Sequence, residues 1–266
     1  MRHRSGQRGY SGDKVRLLEQ SVRVAAYFDQ ISGSYSDRYG DRNPFHSYFF
    51  GQRLKAATAG FAFDGRSVLD IGAGTGALYD ELIRRHPTID YFACDISAEM
   101  LAQSAIPADR AFVGSLSNVS LPRDRFDFIY SLGVTTYQDP AELADTWRFI
   151  GARLEPGGTA VISFTNRGSL DHVMRTAMRI VKPVVKKGVF AQSFATYAYR
   201  LAGIEDMARA VGLRMTRVAF LNQTFSPFNT LMPKPSVTLA RMIEQHAPAT
   251  MLPLLSADFI VFAERP

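Results

Sequence analysis

The stretch Gly72-Ala73-Gly74-Thr75-Gly76-Ala77 constrains this chain more than any other. Ahead of it, Val68-Leu69-Asp70-Ile71 reads as a short buried strand, because three of the four residues are apolar and two of them are β-branched. Behind it, Leu78, Leu82 and Arg85 share one face at helical spacing. The glycines let the backbone turn sharply and approach a ligand with no Cβ in the way. Strand, glycine turn and helix make the opening unit of a nucleotide-binding α/β domain, with spare N–H groups at the helix start. The spacing is G-x-G-x-G. The dinucleotide fingerprint, G-x-G-x-x-G, would need glycine at Ala77, which disfavours an NAD-linked oxidoreductase.

Around this unit the sequence alternates. Strands are expected at Asp90 to Cys94, Arg110 to Val113, Phe126 to Ser131 and Thr159 to Phe164. Helices are expected from near Ser97 and from Pro140 to Leu154, the latter closed by Pro156-Gly157-Gly158. A helix Gly203 to Val211 and strands Arg214 to Phe220 and Ser256 to Ala263 complete the series. Such alternation with short turns implies a parallel sheet covered by helices on both faces.

At 266 residues and 46% hydrophobic content the chain suits one large domain. The expected division is a basic disordered tail over 1–12 and a single domain over 13–266. Within that domain, lid helices occupy 13–62 and a cap insertion occupies 166–200. The first lid helix is expected from Asp13 to Phe28 and the second from Phe45 to Ala59, joined by an aromatic connector over 27–39. The formal charge of +6 and pI near 9.5 suit anionic partners. A single cysteine, Cys94, permits no internal disulfide and no multi-cysteine metal site, which fits a reducing cytoplasm. No apolar run approaches the roughly 20 residues of a membrane span.

Asp95 ends the second strand, where a carboxylate can accept both hydroxyls of a ribose whose neighbouring group lies on the glycine loop. An ordinary helix N-cap is its plainer role. Ile96 would flank a base. Ser115 and Leu116, after the third strand, would face the far edge of that base or form a plain turn.

As a set, Asp70-Ile71-Gly72-Ala73-Gly74-Thr75-Gly76, Asp95, the Gly114 turn, Phe126-Asp127-Phe128-Ile129 and Leu154-Glu155-Pro156-Gly157-Gly158 resemble the class I S-adenosylmethionine-dependent methyltransferases. The resemblance runs from Val68 to Phe164. It implies a doubly wound, Rossmann-like seven-stranded sheet of order 3-2-1-4-5-7-6, strand 7 antiparallel, with helical lid insertions. It also implies S-adenosyl-L-methionine as cofactor and S-adenosylhomocysteine as product. By it Gly72 and Gly74 line the methionine part, Ala73 and Gly76 join them in binding the cofactor, Asp95 holds the ribose, and Ser131 and Leu132 pass near the amino acid group. Asp70 would steer the ammonium. The family usually carries an acidic residue where Ser115 stands. Phe28-Asp29-x-Ile31-Ser32-x-x-Tyr35 is similar to the F-D-x-x-A-x-x-Y segment of ubiquinone and menaquinone methyltransferases, which places Tyr35 near the cofactor carboxylate.

A sulfonium is an activated methyl donor, so the protein mainly aligns groups and excludes water. A base is needed only for a hydroxyl or an acidic carbon; His46, His172 and Tyr137 are the candidates. The turn after the fourth strand, Ser131-Leu132-Gly133-Val134, lacks the [D/N]-P-P-[Y/F] of exocyclic amine methylation. No clustered acidic ligands mark a metal site. The expected reaction is methyl transfer to an O or C atom of a small, hydrophobic or lipid-linked acceptor. An RNA methyltransferase, favoured by the basic tail, and a non-catalytic binding module are the rivals; DNA is not expected as a partner.

In the cap insertion, Leu170, Val173, Met174, Ala177, Ile180, Val181, Val184 and Val185 fall on one helical face. Asp171, Arg175, Arg179, Lys182 and Lys186 fall opposite. Two arrangements follow: a cap helix with its apolar side on the sheet and its basic side in water, or peripheral contact of 170–187 with the inner face of the membrane. Phe190, Phe194, Tyr197, Tyr199, Phe225 and Phe228 suit a hydrophobic substrate cavity, or a core.

Overall fold

A computed structural model describes residues 8–35, 43–181 and 194–266 of the chain. Seven strands form one sheet in the order β3-β2-β1-β4-β5-β7-β6. They are β1 (Ser67–Ile71), β2 (Asp90–Asp95), β3 (Ala111–Val113), β4 (Phe126–Ser131), β5 (Leu154–Thr165), β6 (Arg214–Leu221) and β7 (Asp258–Glu264). The contacts from β3 through β5 are parallel, while β7 runs antiparallel between β5 and β6. This is the order and polarity the resemblance implied. The central strands are buried on both faces, so they read as near-continuous apolar runs such as Ala160-Val161-Ile162 and Phe259-Ile260-Val261-Phe262.

Ten helices accompany the strands among the described residues: α1 (Arg8–Tyr35), α2 (Pro44–Thr58), α3 (Ala77–Ile83), α4 (Ala98–Ala102), α5 (Pro140–Arg153), α6 (Leu170–Val181), α7 (Leu201–Ala210), α8 (Phe228–Leu231), α9 (Pro233–His246) and α10 (Leu252–Leu255). Helix α5 shows why such a segment is helical. Pro140 occupies its first turn, Asp139 and Glu142 close a reciprocal capping box, and Leu143, Thr146, Trp147 and Ile150 form its buried stripe. Successive strand residues feed opposite faces of the sheet: Leu69 and Ile71 pack with Trp147, whereas Val68 packs with Ala57 and Leu82. No described helix is long and apolar enough to cross a membrane.

Several boundaries differ from expectation. Residues 8–12, expected in the tail, belong to α1, and so do residues 29–35 of the expected connector; the rest of the tail, 1–7, lies outside the described residues. Glu155 to Gly158 are a break in pairing inside β5, because Phe126 pairs with Leu154 but Phe128 with Thr159. The helices α8 to α10 carry no counterpart in the sequence reading. They interrupt the step from β6 to β7 and are held by polar contacts distant in sequence: Asn166 donates through Nδ2 to the carbonyls of Pro253 (2.7 Å) and Ser256 (2.9 Å).

The cap helix is turned over. Asp171, assigned to the outer polar side, is 2% exposed, whereas Leu170, Val173 and Met174 are exposed. The cause is local. One Asp171 oxygen accepts the Ser226 N–H at 2.7 Å and the other pairs with Arg175 Nε at 2.6 Å, which fixes the start of α6 with its carboxylate inward. Lys182, Val184, Val185, Lys186 and Phe190 lie outside the described residues.

Candidate active site

A cavity of about 820 Å³ runs along the carboxyl ends of β2, β1, β4, β5 and the start of β7. Its floor begins at the glycine turn. The N–H groups of Gly72 (2.7 Å) and Ala73 (3.3 Å) donate to the Cys94 carbonyl, tying the turn to the end of β2. Gly72 has a φ of 73°, and a Cβ built on it would fall 2.2 Å from Cγ2 of Val134. Only glycine fits there.

Asp95 lies at the centre of that end. Its Oδ2 accepts the Gly74 N–H at 2.8 Å and its Oδ1 the Ser97 N–H at 2.9 Å. Burial pushes its carboxyl above the usual range, against backbone N–H groups of Ser97, Gly74 and Ile96 that favour the charge. Each oxygen keeps a second acceptor position, so the carboxylate can take two hydroxyls of a vicinal diol. Ser97 also caps α4 and donates to Asp29 Oδ1 at 2.6 Å, which fastens α1 beside Asp95. Asp29 was only a letter in the F-D segment; here it is a tether.

Asp70, at the other side of the glycine turn, is 3% exposed and accepts the Tyr91 hydroxyl at 2.6 Å. Burial pushes its pKa up to about 7, opposed by the Tyr91 bond and reinforced by the Asp95 charge. A cation arriving in the cavity would favour its ionised form.

Of the other expected cofactor residues, Tyr35, Ala73, Gly74, Ile96, Leu116 and Leu132 line the cavity. Ser115 lines it too, but its hydroxyl bonds within its own turn, to Ser117 Oγ at 2.8 Å and Asn118 Oδ1 at 3.0 Å. Gly76 is outside the lining; a Cβ there would meet Ser104 at 3.0 Å, so its place is close packing. Ser131 is also outside it, fully buried, with an unpartnered Oγ beneath the cavity wall. Among the candidate bases His46 and Tyr137 line the cavity; His172 does not. None of Phe194, Tyr197, Tyr199, Phe225 and Phe228 lines it. Phe194 backs it instead, edge-on to Tyr27 and Tyr137.

The aromatic wall comes from α2. Phe45 and Phe49 stack along one face, one turn apart, and His46 and Phe50 lie beside them. Arg53 follows on the same face, over both the Phe49 (4.8 Å) and Phe50 (4.9 Å) rings. Its charge acts on Asp258, opposing the upward push of burial on that carboxyl. Its guanidinium lies over Gly133, whose φ of 82° and missing Cβ leave it room. A half-buried guanidinium in this setting offers a fork of donors to a carboxylate. The i, i+4 spacing of Phe45, Phe49 and Arg53 was the signal that could have found this face.

The part of the cavity beyond Leu132 is furnished differently. Thr165 ends β5 and pairs in register with Asp258, which opens β7. Asp258 accepts Asn222 Nδ2 at 2.7 Å, and burial pushes its carboxyl above the usual range. Asn222 takes a left-handed φ of 60°, the one such non-glycine residue described. Arg175, paired with Asp171, reaches the same region from α6.

Neighbouring strands are about 4.8 Å apart, so four steps from β2 to β7 separate Asp95 from Asp258 by roughly 19 Å. One elongated ligand or two joined end to end are accommodated. Asp95 for a ribose diol, Asp70 for an ammonium, Arg53 for a carboxylate and a side-chain-free turn between them fit S-adenosylmethionine.

Known proteins similar to this chain are methyltransferases. Residues 68–158 match a family model described as a methyltransferase domain. Malonyl-[acyl-carrier protein] O-methyltransferase of Herminiimonas arsenicoxydans is 30% identical over 166 residues, 62% of this chain. The match spans 56% of that curated relative's length. Among solved structures, magnesium protoporphyrin IX methyltransferase of Synechocystis PCC 6803, with bound SAH, aligns over 93% of this chain and 100% of its own at 14% identity and TM-score 0.61. Phosphoethanolamine N-methyltransferase 2 of Haemonchus contortus aligns over 92% of this chain and 59% of its own at 17% identity and TM-score 0.57. These structures share the fold.

Proposed function

We propose that this chain, whose residues 68–158 match a methyltransferase domain, transfers a methyl group from S-adenosylmethionine to an O or C atom of a small acceptor with an apolar portion. One observation carries the proposal. A single cavity continues from the Gly72–Asp95 floor to a second half walled by Phe45, Phe49, Phe50 and Phe164, with His46, Arg175 and Asp258 among its titratable side chains. The cofactor, when bound, supplies an activated methyl group on a sulfonium. With the cofactor bound, Asp95 would hold the diol, Asp70 would face the ammonium and Arg53 would meet the carboxylate. The α1 and α2 aromatics keep water from the junction of the two halves and align the acceptor, where most of the rate advantage of such a transfer arises. That the relative is an O-methyltransferase supports the oxygen arm of the proposal.

The test is incubation of the purified chain with methyl-labelled S-adenosylmethionine and a fractionated extract of its source cell. Label is expected in a low-molecular-weight product. Label confined to RNA or protein would overturn the small-molecule reading. No transfer to any fraction, with cofactor binding intact, would leave the binding-module rival standing.

A pH dependence follows from Asp70. Its pKa near 7 in the free protein must fall when an ammonium binds beside it, so binding releases a proton. Affinity for S-adenosylmethionine should therefore rise as pH increases toward 7 and level off above it. Below 7 the loss approaches tenfold per pH unit. Calorimetry from pH 5 to 8 reads this directly, and a flat profile would remove Asp70 from the ammonium site.

A further inference from the structure

We propose that the described parts of two insertions at the carboxyl end of the sheet, residues 166–181 and 222–257, form a docking face for an anionic lipid bilayer. The first contains α6 and the second contains α8, α9 and α10. They meet in space: Asn166 bonds the Pro253 and Ser256 carbonyls, and Asp171 bonds the Ser226 N–H. On that shared base Leu170, Val173 and Met174 of α6 are exposed, Val173 by 59%. Met251 and Leu254, beside and within α10, are exposed as well, and Leu231 at the end of α8 is 74% exposed. Large side chains in such a grouping signal an interaction surface rather than ordinary exposure.

Charge selects the partner. Residues 166–181 and 222–257 hold five Lys and Arg residues against two acidic ones, a formal net charge of +3 in a chain that totals +6. Aliphatic and thioether side chains among basic residues are what an anionic interface takes up: the apolar groups enter the acyl boundary and the cations meet the headgroups. The same insertions wall the cavity, through Arg175 on one side and Asn222 and Ala257 at the ends of the other. An acceptor with an apolar tail could thus pass from bilayer to cavity along α6. This last step rests on the methyltransferase reading, whereas the docking face does not.

Sedimentation of the full chain with phosphatidylcholine vesicles, with and without phosphatidylglycerol, tests the proposal. Binding is expected to the phosphatidylglycerol vesicles and to weaken as salt is raised. Val173→Glu with Met174→Glu, at exposed positions outside the cavity lining, should lower that binding on the order of tenfold or more. Circular dichroism and S-adenosylmethionine calorimetry on the same variant should match the parent, which separates loss of docking from loss of fold. Absence of binding to either vesicle, or equal binding by the double variant, would overturn the docking face. So would light scattering that shows a dimer dissociated by the same substitutions, since the face would then cover a second copy. Failure of the parent chain to bind S-adenosylmethionine would overturn the methyltransferase reading and leave the vesicle result to be judged by itself.

Discussion

Gly72→Ala is expected to destabilise the fold by roughly 2–5 kcal/mol, a large part of the stability of a domain this size. Two separate causes add. The left-handed φ of 73° costs an alanine about 1–2 kcal/mol. The new methyl group would also fall 2.2 Å from Val134 Cγ2, and relieving such overpacking typically costs about 1–3 kcal/mol. The causes separate experimentally. Val134→Ala removes Cγ2, so in the Gly72→Ala background it should restore the packing share while the backbone share remains. Denaturation midpoints of the parent, the two single variants and the double variant give the coupling directly. An additive result, with no coupling between 72 and 134, would mean that the turn yields rather than the side chain. It would also remove Val134 as the wall that sets the depth of the cavity at this point.

The second large effect concerns Asp95. Its two oxygens already hold the Gly74 and Ser97 N–H groups, so the carboxylate does two tasks at once: it shapes the turn and presents its spare lone pairs to the ligand. Hydrogen bonds to a charged acceptor contribute about 1.5–3 kcal/mol each. Asp95→Ala should therefore weaken S-adenosylmethionine binding by about 100-fold or more. Asp95→Asn keeps one acceptor oxygen and should fall between the two. The same Asn variant sets its amide N–H group against one of the two backbone N–H donors, leaving that donor unpaired, so its thermal stability should fall below that of the parent. Calorimetry and thermal melts on the three proteins check both statements. An Ala variant that binds the cofactor as the parent does would sink the ribose assignment.

What the sequence alone makes legible here is what short-range chemistry dictates. The apolar run into Gly72, the carboxylate that ends β2, and the alternation of strands with capped helices each depend on residues within a turn or two of one another. Together they lead to the sheet order that the structure shows. They also lead to a nucleotide-like site at the strand ends, because spare N–H groups and loops gather at that edge in any parallel α/β sheet.

Other features depend on contacts between residues far apart, and no local pattern encodes those. Arg53 enters the cavity because α2 folds back over Gly133, eighty residues later. Ser131 is fully buried and stays outside the lining, because each strand side chain is committed to one face of the sheet. The α6 stripe carries the same amphipathic pattern whichever way it faces. Its rotation is set by Asp171 accepting the Ser226 N–H from an insertion that the sequence reading treats as connection. Local composition determined the cofactor half of the cavity. Tertiary structure decided the acceptor half and the surface around it, since burial, ion pairing and helix rotation are properties of neighbours in space and not in sequence.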